Sequence, residues 1–72
     1  MQLGKFAVSV ADFSNNDLDL VIVKAENQIQ AVWRSGFPEI YLSGVDTEWK
    51  SMDDVHDAFH EVCCLIMVQE VS

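Results

Sequence analysis

Glycine, proline and cysteine are scarce in this chain, and their scarcity excludes several kinds of site. With three glycines and one proline among 72 residues, there is no glycine-rich phosphate loop, and no serine stands in the context of a nucleophile elbow. The two cysteines, Cys63 and Cys64, are adjacent, so the spaced framework of a disulfide-rich secreted domain is absent. The first residues lack the apolar run of a signal peptide, and no stretch approaches the roughly 18 apolar residues that span a bilayer. We therefore expect a cytoplasmic protein.

Positive charge is scarce as well. Four Lys and Arg residues oppose twelve Asp and Glu residues, which gives a net charge of −8 with neutral histidines. Such a charge disfavours direct binding to nucleic acid or to an anionic membrane, and it favours and accelerates encounter with a basic partner. The alternative is that the charge only keeps a small apolar protein soluble.

The length permits a single domain, over residues 1–72, and favours binding over catalysis. Half of the residues are hydrophobic, which excludes a disordered acidic tail. A core of this size supplies only about 3–5 kcal/mol of net stability, and little chain is left to form the walls of a deep pocket. We therefore expect a binding protein and not an enzyme, and we predict no catalytic residues.

Two strands are predicted in the first third of the chain. Phe6, Val8 and Val10 recur at every second residue, which is the pattern of a strand with one buried face. Residues 12–17 are rich in Asp, Asn and Ser, which favour turns, and a β-branched run follows over 18–25. These segments predict an antiparallel hairpin.

A short helix is predicted over residues 28–35, with a third strand as the alternative. Asn27 suits the N-cap with Gln30 at the third helical position, and Gly36 suits the left-handed position after the helix. The apolar segment 39–44 that follows is predicted to be an edge strand or a packed loop.

The strongest helical pattern begins after Ser51. Ser51 and Asp54 have the spacing of a capping box, and residues 52–62 divide completely between an apolar and a polar side at 100° per residue. The apolar side consists of Met52, Val55, Ala58, Phe59 and Val62. We expect this helix to pack on a sheet by that side.

The last apolar run, residues 63–71, is predicted to be a strand, with a continuation of the helix as the alternative. Apolar residues on both of its faces are typical of a central strand, so we place it in the middle of the sheet. The predicted fold class is α+β, a small antiparallel sheet with two helices on one face and the order β-β-α-α-β. The other face of an apolar strand also needs cover, which a homodimer would supply. A structural or regulatory homo-oligomer that associates through this C-terminal segment is therefore the main alternative function.

The polar side of the second helix carries the candidate partner-binding residues. Asp53, Asp57 and Glu61 recur every fourth residue and form a ridge of like charges, at a cost of a few tenths of a kcal/mol per pair. We predict that this ridge docks on lysines and arginines of a partner, with Asp54 and Glu48 as extensions. The alternative is an ordinary solvated helix face.

His56 and His60 stand four residues apart, a spacing that can place two imidazoles on one metal ion. The glutamate that serves as general base in a metalloprotease is missing after His56, and two solvated histidines among acids also explain the pattern. A pair of His60 with Cys63 or Cys64 would put the nucleophile in the predicted core, where a thiol is inert. We predict neither a metal nor another cofactor, and a histidine metal module is the weakest alternative function.

A second acidic patch surrounds the first predicted turn and consists of Asp12, Asp17 and Asp19. These residues lack the spacing and the central glycine of an EF-hand calcium loop. Turn formation explains the composition of the segment without a ligand.

Two stretches resemble small phage proteins that shut off host machinery. Residues 23–33, Val-Lys-Ala-Glu-Asn-Gln-Ile-Gln-Ala-Val-Trp, are similar to the strand-to-helix junction of phage inhibitors of bacterial RNA polymerase. Residues 51–55, Ser-Met-Asp-Asp-Val, followed by an apolar strand, also resemble short phage proteins.

The small size, the negative charge and the α+β pattern resemble anti-CRISPR proteins, some of which act as DNA mimics. The resemblance covers roughly half of the chain and does not extend over residues 37–50. It implies a class of function without assigning residues: a phage-type inhibitor that occupies a basic, nucleic-acid-binding surface of a host protein.

Overall fold

The computed structural model describes residues 3–44 and 47–71. The described elements are strands β1 (Gly4–Asp12), β2 (Asp17–Ala25) and β3 (Cys64–Glu70), and helices α1 (Gln28–Ser35), α2 (Phe37–Tyr41) and α3 (Met52–Glu61). The predicted α+β class and the predicted order of the strands and of the two longer helices are confirmed. The five-residue helix α2 is an addition.

β1 is the central strand of the antiparallel sheet, whose order is β2-β1-β3. Val8 lies opposite Val21 on one side and opposite Val68 on the other. The predicted hairpin of β1 and β2 is confirmed, but the prediction that the C-terminal strand occupies the middle is wrong. β3 is apolar on both faces for another reason, because Ile66 faces the core while Leu65 and Met67 lie on the uncovered side of the sheet.

Helix α1 is confirmed with the predicted boundaries, and the alternative of a third strand there is wrong. The side-chain Oδ1 of Asn27 accepts a hydrogen bond from the backbone N–H of Gln30 at 2.8 Å, and the side-chain oxygen of Gln30 accepts one from Glu26 N–H at 2.7 Å. The helix ends at Gly36, whose φ of 81° is the left-handed conformation that glycine adopts without steric cost.

Helix α2 takes up residues 39–41 of the segment 39–44, which was predicted to be an edge strand or a packed loop. The described residues form no strand there, and residues 42–44 form a loop in which Leu42 is buried. Pro38 lies in the first turn of α2, where the fixed φ of proline suits a helix and its missing N–H costs nothing. Phe37 and Tyr41 are four residues apart on this helix, so their rings lie together with centroids 6.1 Å apart. Pro38 therefore lies at the start of α2 as well as after the end of α1.

Helix α3 begins at the predicted capping box of Ser51 and Asp54 and buries Val55, Ala58 and Phe59. The chain then reverses into β3 without a glycine. Cys63 supplies the reversal with a φ of 60°, and its N–H donates to the carbonyl oxygen of His60 at 3.0 Å. A non-glycine residue in this conformation costs roughly 1–2 kcal/mol, which the packing of the strand that follows must offset.

The helices cover one face of the sheet, as predicted. α1 packs mainly against β2 and α3 against β3, and the rings of Trp33 and Trp49 stack at 4.7 Å between centroids. The buried residues between the layers come from every element: Phe6, Val8, Val10, Ala25, Ala31, Val32, Phe37, Leu42, Val55, Ala58, Phe59, Cys64 and Ile66. The core is therefore one-sided, and none of the described elements covers the opposite face of the sheet.

Candidate binding surfaces

The acidic ridge, which consists of Asp53, Asp57 and Glu61, lies along the exposed side of α3. All three side chains are exposed. Four residues of an α-helix rise about 6 Å, so the ridge presents three carboxylates at successive turns of a rigid element. The helix that carries the ridge is held against the core because Val55 and Phe59, on its opposite side, are fully buried.

The two predicted extensions of the ridge are placed differently. Asp54 is engaged at the start of α3, where its Oδ2 accepts hydrogen bonds from the backbone N–H of Lys50 at 2.8 Å and of Ser51 at 3.3 Å. Glu48 is exposed in the segment that precedes the helix. Asp54 therefore has a structural role in addition to any contribution to a partner surface.

The second acidic patch is organised by hydrogen bonds within the hairpin turn. Asp12 is buried, and its carboxylate accepts from Ser14 N–H at 3.0 Å, Asn15 N–H at 3.4 Å and Asn15 Nδ2 at 2.8 Å. Such a side-chain-capped turn is what Asp and Asn favour at these positions. The carboxylate of Asp12 is therefore used to hold the turn.

Asp19 of this patch contacts α2 through a hydrogen bond. The hydroxyl of Tyr41 donates to Asp19 Oδ2 at 3.0 Å. Desolvation of the phenol, followed by its hydrogen bond to Asp19 and the charges of Asp19 and Asp12, raises the pKa of Tyr41 to about 12. This bond ties the start of β2 to the helical layer.

His56 and His60 do not form a metal centre with the carboxylates around them. His56 is half-buried and His60 is exposed. Within 3–44 and 47–71, no group of three or more His, Cys, Asp or Glu side chains is close enough to hold a metal ion.

The two adjacent cysteines differ in exposure, and we expect them to differ in reactivity. Cys63 is exposed and Cys64 is buried. Burial, together with the nearby charges of Asp12 and Cys63, raises the pKa of the Cys64 thiol, which lowers its thiolate fraction at neutral pH.

A thiol-specific colorimetric reagent should therefore label one cysteine rapidly in the folded protein and two after denaturation. A Cys63→Ser variant should lose the rapid phase, whereas rapid labelling of that variant would contradict the burial of Cys64.

The open face, the side of the sheet away from the helices, is the feature that sequence reasoning described least well. By the alternation along the strands, eleven side chains point to it: Lys5, Ala7, Ser9 and Ala11 from β1, Leu18, Leu20, Ile22 and Lys24 from β2, and Leu65, Met67 and Gln69 from β3. Five of them are large and apolar, with 39% to 75% of their surface exposed. None of the eleven is a carboxylate, although the chain has twelve.

The rows of the open face follow from the strand register. Small residues occupy the central strand, and Leu20 and Met67 lie on either side of Ser9. Lys5 and Lys24 lie opposite each other at one end, and the Asp12–Asp17 end of the hairpin forms the other. The sequence indicates this face through a second apolar set in β2, Leu18, Leu20 and Ile22, which alternates with the residues that face the helices.

Comparison of the chain with family models, with curated proteins and with solved structures gives no match in any of the three. Over the described ranges, no helix is both long and apolar enough to cross a membrane. The residues and the geometry of the chain are therefore the basis for the function proposed below.

Proposed function

We propose that this protein is a small inhibitor of phage type that binds, through the acidic ridge, to a basic nucleic-acid-binding surface of a host protein. The observation on which this rests is the exposure of Asp53, Asp57 and Glu61 at successive turns of a helix whose other side is buried. The anti-CRISPR-like size and acidity of the chain favour the same class of function. On this proposal the protein acts in the cytoplasm of the host cell.

The helix holds the three carboxylates of the ridge at a fixed spacing, which suits them to binding. Their mutual repulsion destabilises the helix. Like charges four residues apart destabilise a helix by roughly 0.2–0.5 kcal/mol per pair. Residues at such positions are free of any packing role, since their side chains are exposed. A row of basic side chains on a partner turns this repulsion into attraction.

The mechanism is competition for a polyanion site. A surface that binds nucleic acid uses Lys and Arg to contact phosphates, and a rigid row of carboxylates offers the same side chains an alternative set of acceptors. The net charge of −8 would speed the encounter and make it sensitive to salt. Nucleic acid is thus a competitor of the protein and not its ligand.

The test is capture of host proteins from a bacterial lysate on the immobilised protein, followed by displacement with duplex DNA and by affinity measurement on the captured partner. We expect the Asp53→Asn, Asp57→Asn, Glu61→Gln triple variant to lose affinity by roughly 10- to 100-fold, because three charge contacts are removed. The affinity of the unmodified protein should fall as salt rises, since exposed ion pairs are screened.

A matched variant separates the ridge from the overall charge. Asp17→Asn, Glu26→Gln, Glu39→Gln removes three exposed carboxylates outside α3, so both triple variants carry a net charge of −5 instead of −8. The control should bind nearly as well as the unmodified protein. Equal loss in both variants, or a captured partner that DNA does not displace, would overturn the proposal.

A further inference from the structure

We propose that the open face is a self-association surface, on which two copies of this chain pack sheet against sheet. The two-fold axis would lie in the interface, perpendicular to the strands, along the row of Leu20, Ser9 and Met67. Each copy would keep its helices on the outside, so the dimer would have four layers. This inference concerns a different surface from the acidic ridge and stands independently of the function proposed for the ridge.

The apolar character of the face is the first reason. Leu18, Leu20 and Ile22 on β2 and Leu65 and Met67 on β3 are all large side chains on a side that no described element covers. By strand spacing and rise, the three strands present a footprint of about 14 by 24 Å. Monomeric soluble proteins rarely expose contiguous apolar patches larger than a few hundred Å², and a patch of about this size is often functional.

The distribution of charge permits a second copy to approach by this face. The eleven outward positions include no carboxylate, so nothing on the face repels its equivalent except the lysines. Stacked sheets lie about 10 Å apart and each helix about 10 Å beyond its sheet. The two acidic ridges would then be roughly 30 Å apart, several times the Debye length of about 8 Å at physiological salt.

The charges of the face select the axis. Lys5 and Lys24 lie at one end of it, and by the alternation along β2 the carboxylates of Asp17 and Asp19 are on the helix side of the sheet. An axis perpendicular to the strands places the lysines of each copy over the hairpin end of the other, away from their own equivalents, twice over by symmetry. An axis parallel to the strands would instead bring lysines onto lysines.

The register is compatible with that axis. Leu20, Ser9 and Met67 form the middle row, so each would meet its own equivalent, and Ile22 would lie over Leu18 of the other copy. The small side chains of Ala7, Ser9 and Ala11 on the central strand leave room for the large residues of the flanking strands to lean inward. Apolar residues thus meet apolar residues along β2, whereas on β3 Met67 meets its equivalent and Leu65 lies over Gln69 of the other copy.

Sedimentation equilibrium over a wide range of protein concentration tests the proposal. We expect the mass of two chains at high concentration and dissociation on dilution. Leu20→Glu and Met67→Glu should each weaken the dimer by at least roughly 100-fold, because each places two like charges face to face across the axis. Both side chains are exposed in the single chain, so the far-ultraviolet circular dichroism of the variants should stay unchanged.

Two controls complete the experiment. Ile40→Glu makes the same change at a side chain that is 68% exposed on α2, outside the open face, and should leave the dimer intact, as should neutralisation of the acidic ridge. Lys5→Gln with Lys24→Gln should leave the dimer nearly unchanged, since the proposed axis keeps these lysines away from their equivalents in the other copy. A stronger dimer in that variant would overturn the proposed axis. The proposal would be overturned by a single-chain mass at every concentration, or by Leu20 and Met67 variants that associate as the unmodified protein does. The open face would then be a surface for a different protein.

Discussion

Replacing Phe59 by alanine is expected to leave the protein largely unfolded. Phe59 is fully buried at the point where α3 faces the sheet, and its ring lies 6.5 Å from that of Tyr41. Truncation of a buried phenylalanine costs about 3–5 kcal/mol through lost transfer energy and the cavity that remains. A core of this size supplies a net stability of only about 3–5 kcal/mol, so one substitution removes most or all of it.

Urea unfolding followed by tryptophan fluorescence measures this loss, because Trp33 and Trp49 stack against each other in the folded state. Phe13→Ala is the matched control: Phe13 is 69% exposed, and substitutions at such sites change stability by no more than about 0.5 kcal/mol. All proteins should be compared at one concentration, since self-association would add to the apparent stability. A Phe59→Ala variant as stable as Phe13→Ala would contradict the packing of α3 on the sheet.

The elements with local signals were predictable from the sequence. Asn27 and Gly36 set the two ends of α1, and Ser51 with Asp54 set the start of α3, because capping is a contact between residues a few positions apart. The alternation of Phe6, Val8 and Val10 predicted the buried face of β1, because residues two positions apart in a strand point to the same side.

The features that the sequence did not predict depend on more distant contacts or on ambiguous residues. β1 is the central strand because both β2 and β3 pair with it. The residues of β3 contain no local pattern that predicts which strand it pairs with. Pro38 follows the cap of α1, where proline is common after a helix, although proline is equally suited to begin one. The reversal at Cys63 carries no glycine or proline signal at all.

The candidate surfaces divide in the same way. The acidic ridge follows from helical spacing alone, so its exposure on one side of α3 could be derived without coordinates. The open face requires the register of three strands, since Leu20, Ser9 and Met67 share a row only because β1 lies between β2 and β3. The prediction of a homodimer attributed the uncovered apolar surface to the C-terminal strand, whereas β2 contributes more of it.

Replacing Asp12 by alanine is expected to cost about 1–3 kcal/mol, because the amide groups of Ser14 and Asn15 lose the carboxylate that accepts their hydrogen bonds. A competing effect has the opposite sign. Asp12 lies directly opposite Asp17 in the sheet, and relief of this like-charge pair returns only about 0.2–1 kcal/mol, so the loss of hydrogen bonds dominates.

Asp12→Asn should cost less than Asp12→Ala, since an amide oxygen still accepts from the backbone of the turn, and Asp17→Ala should be neutral or slightly stabilising because its side chain is exposed. Urea midpoints rank the three variants, and amide hydrogen exchange at Ser14 and Asn15 should accelerate most in Asp12→Ala. If Asp12→Ala were instead as stable as the unmodified protein, the hydrogen bonds of the turn would be weaker than the repulsion they offset. The expected ranking assigns the buried Asp12 to the fold and not to a partner-binding surface.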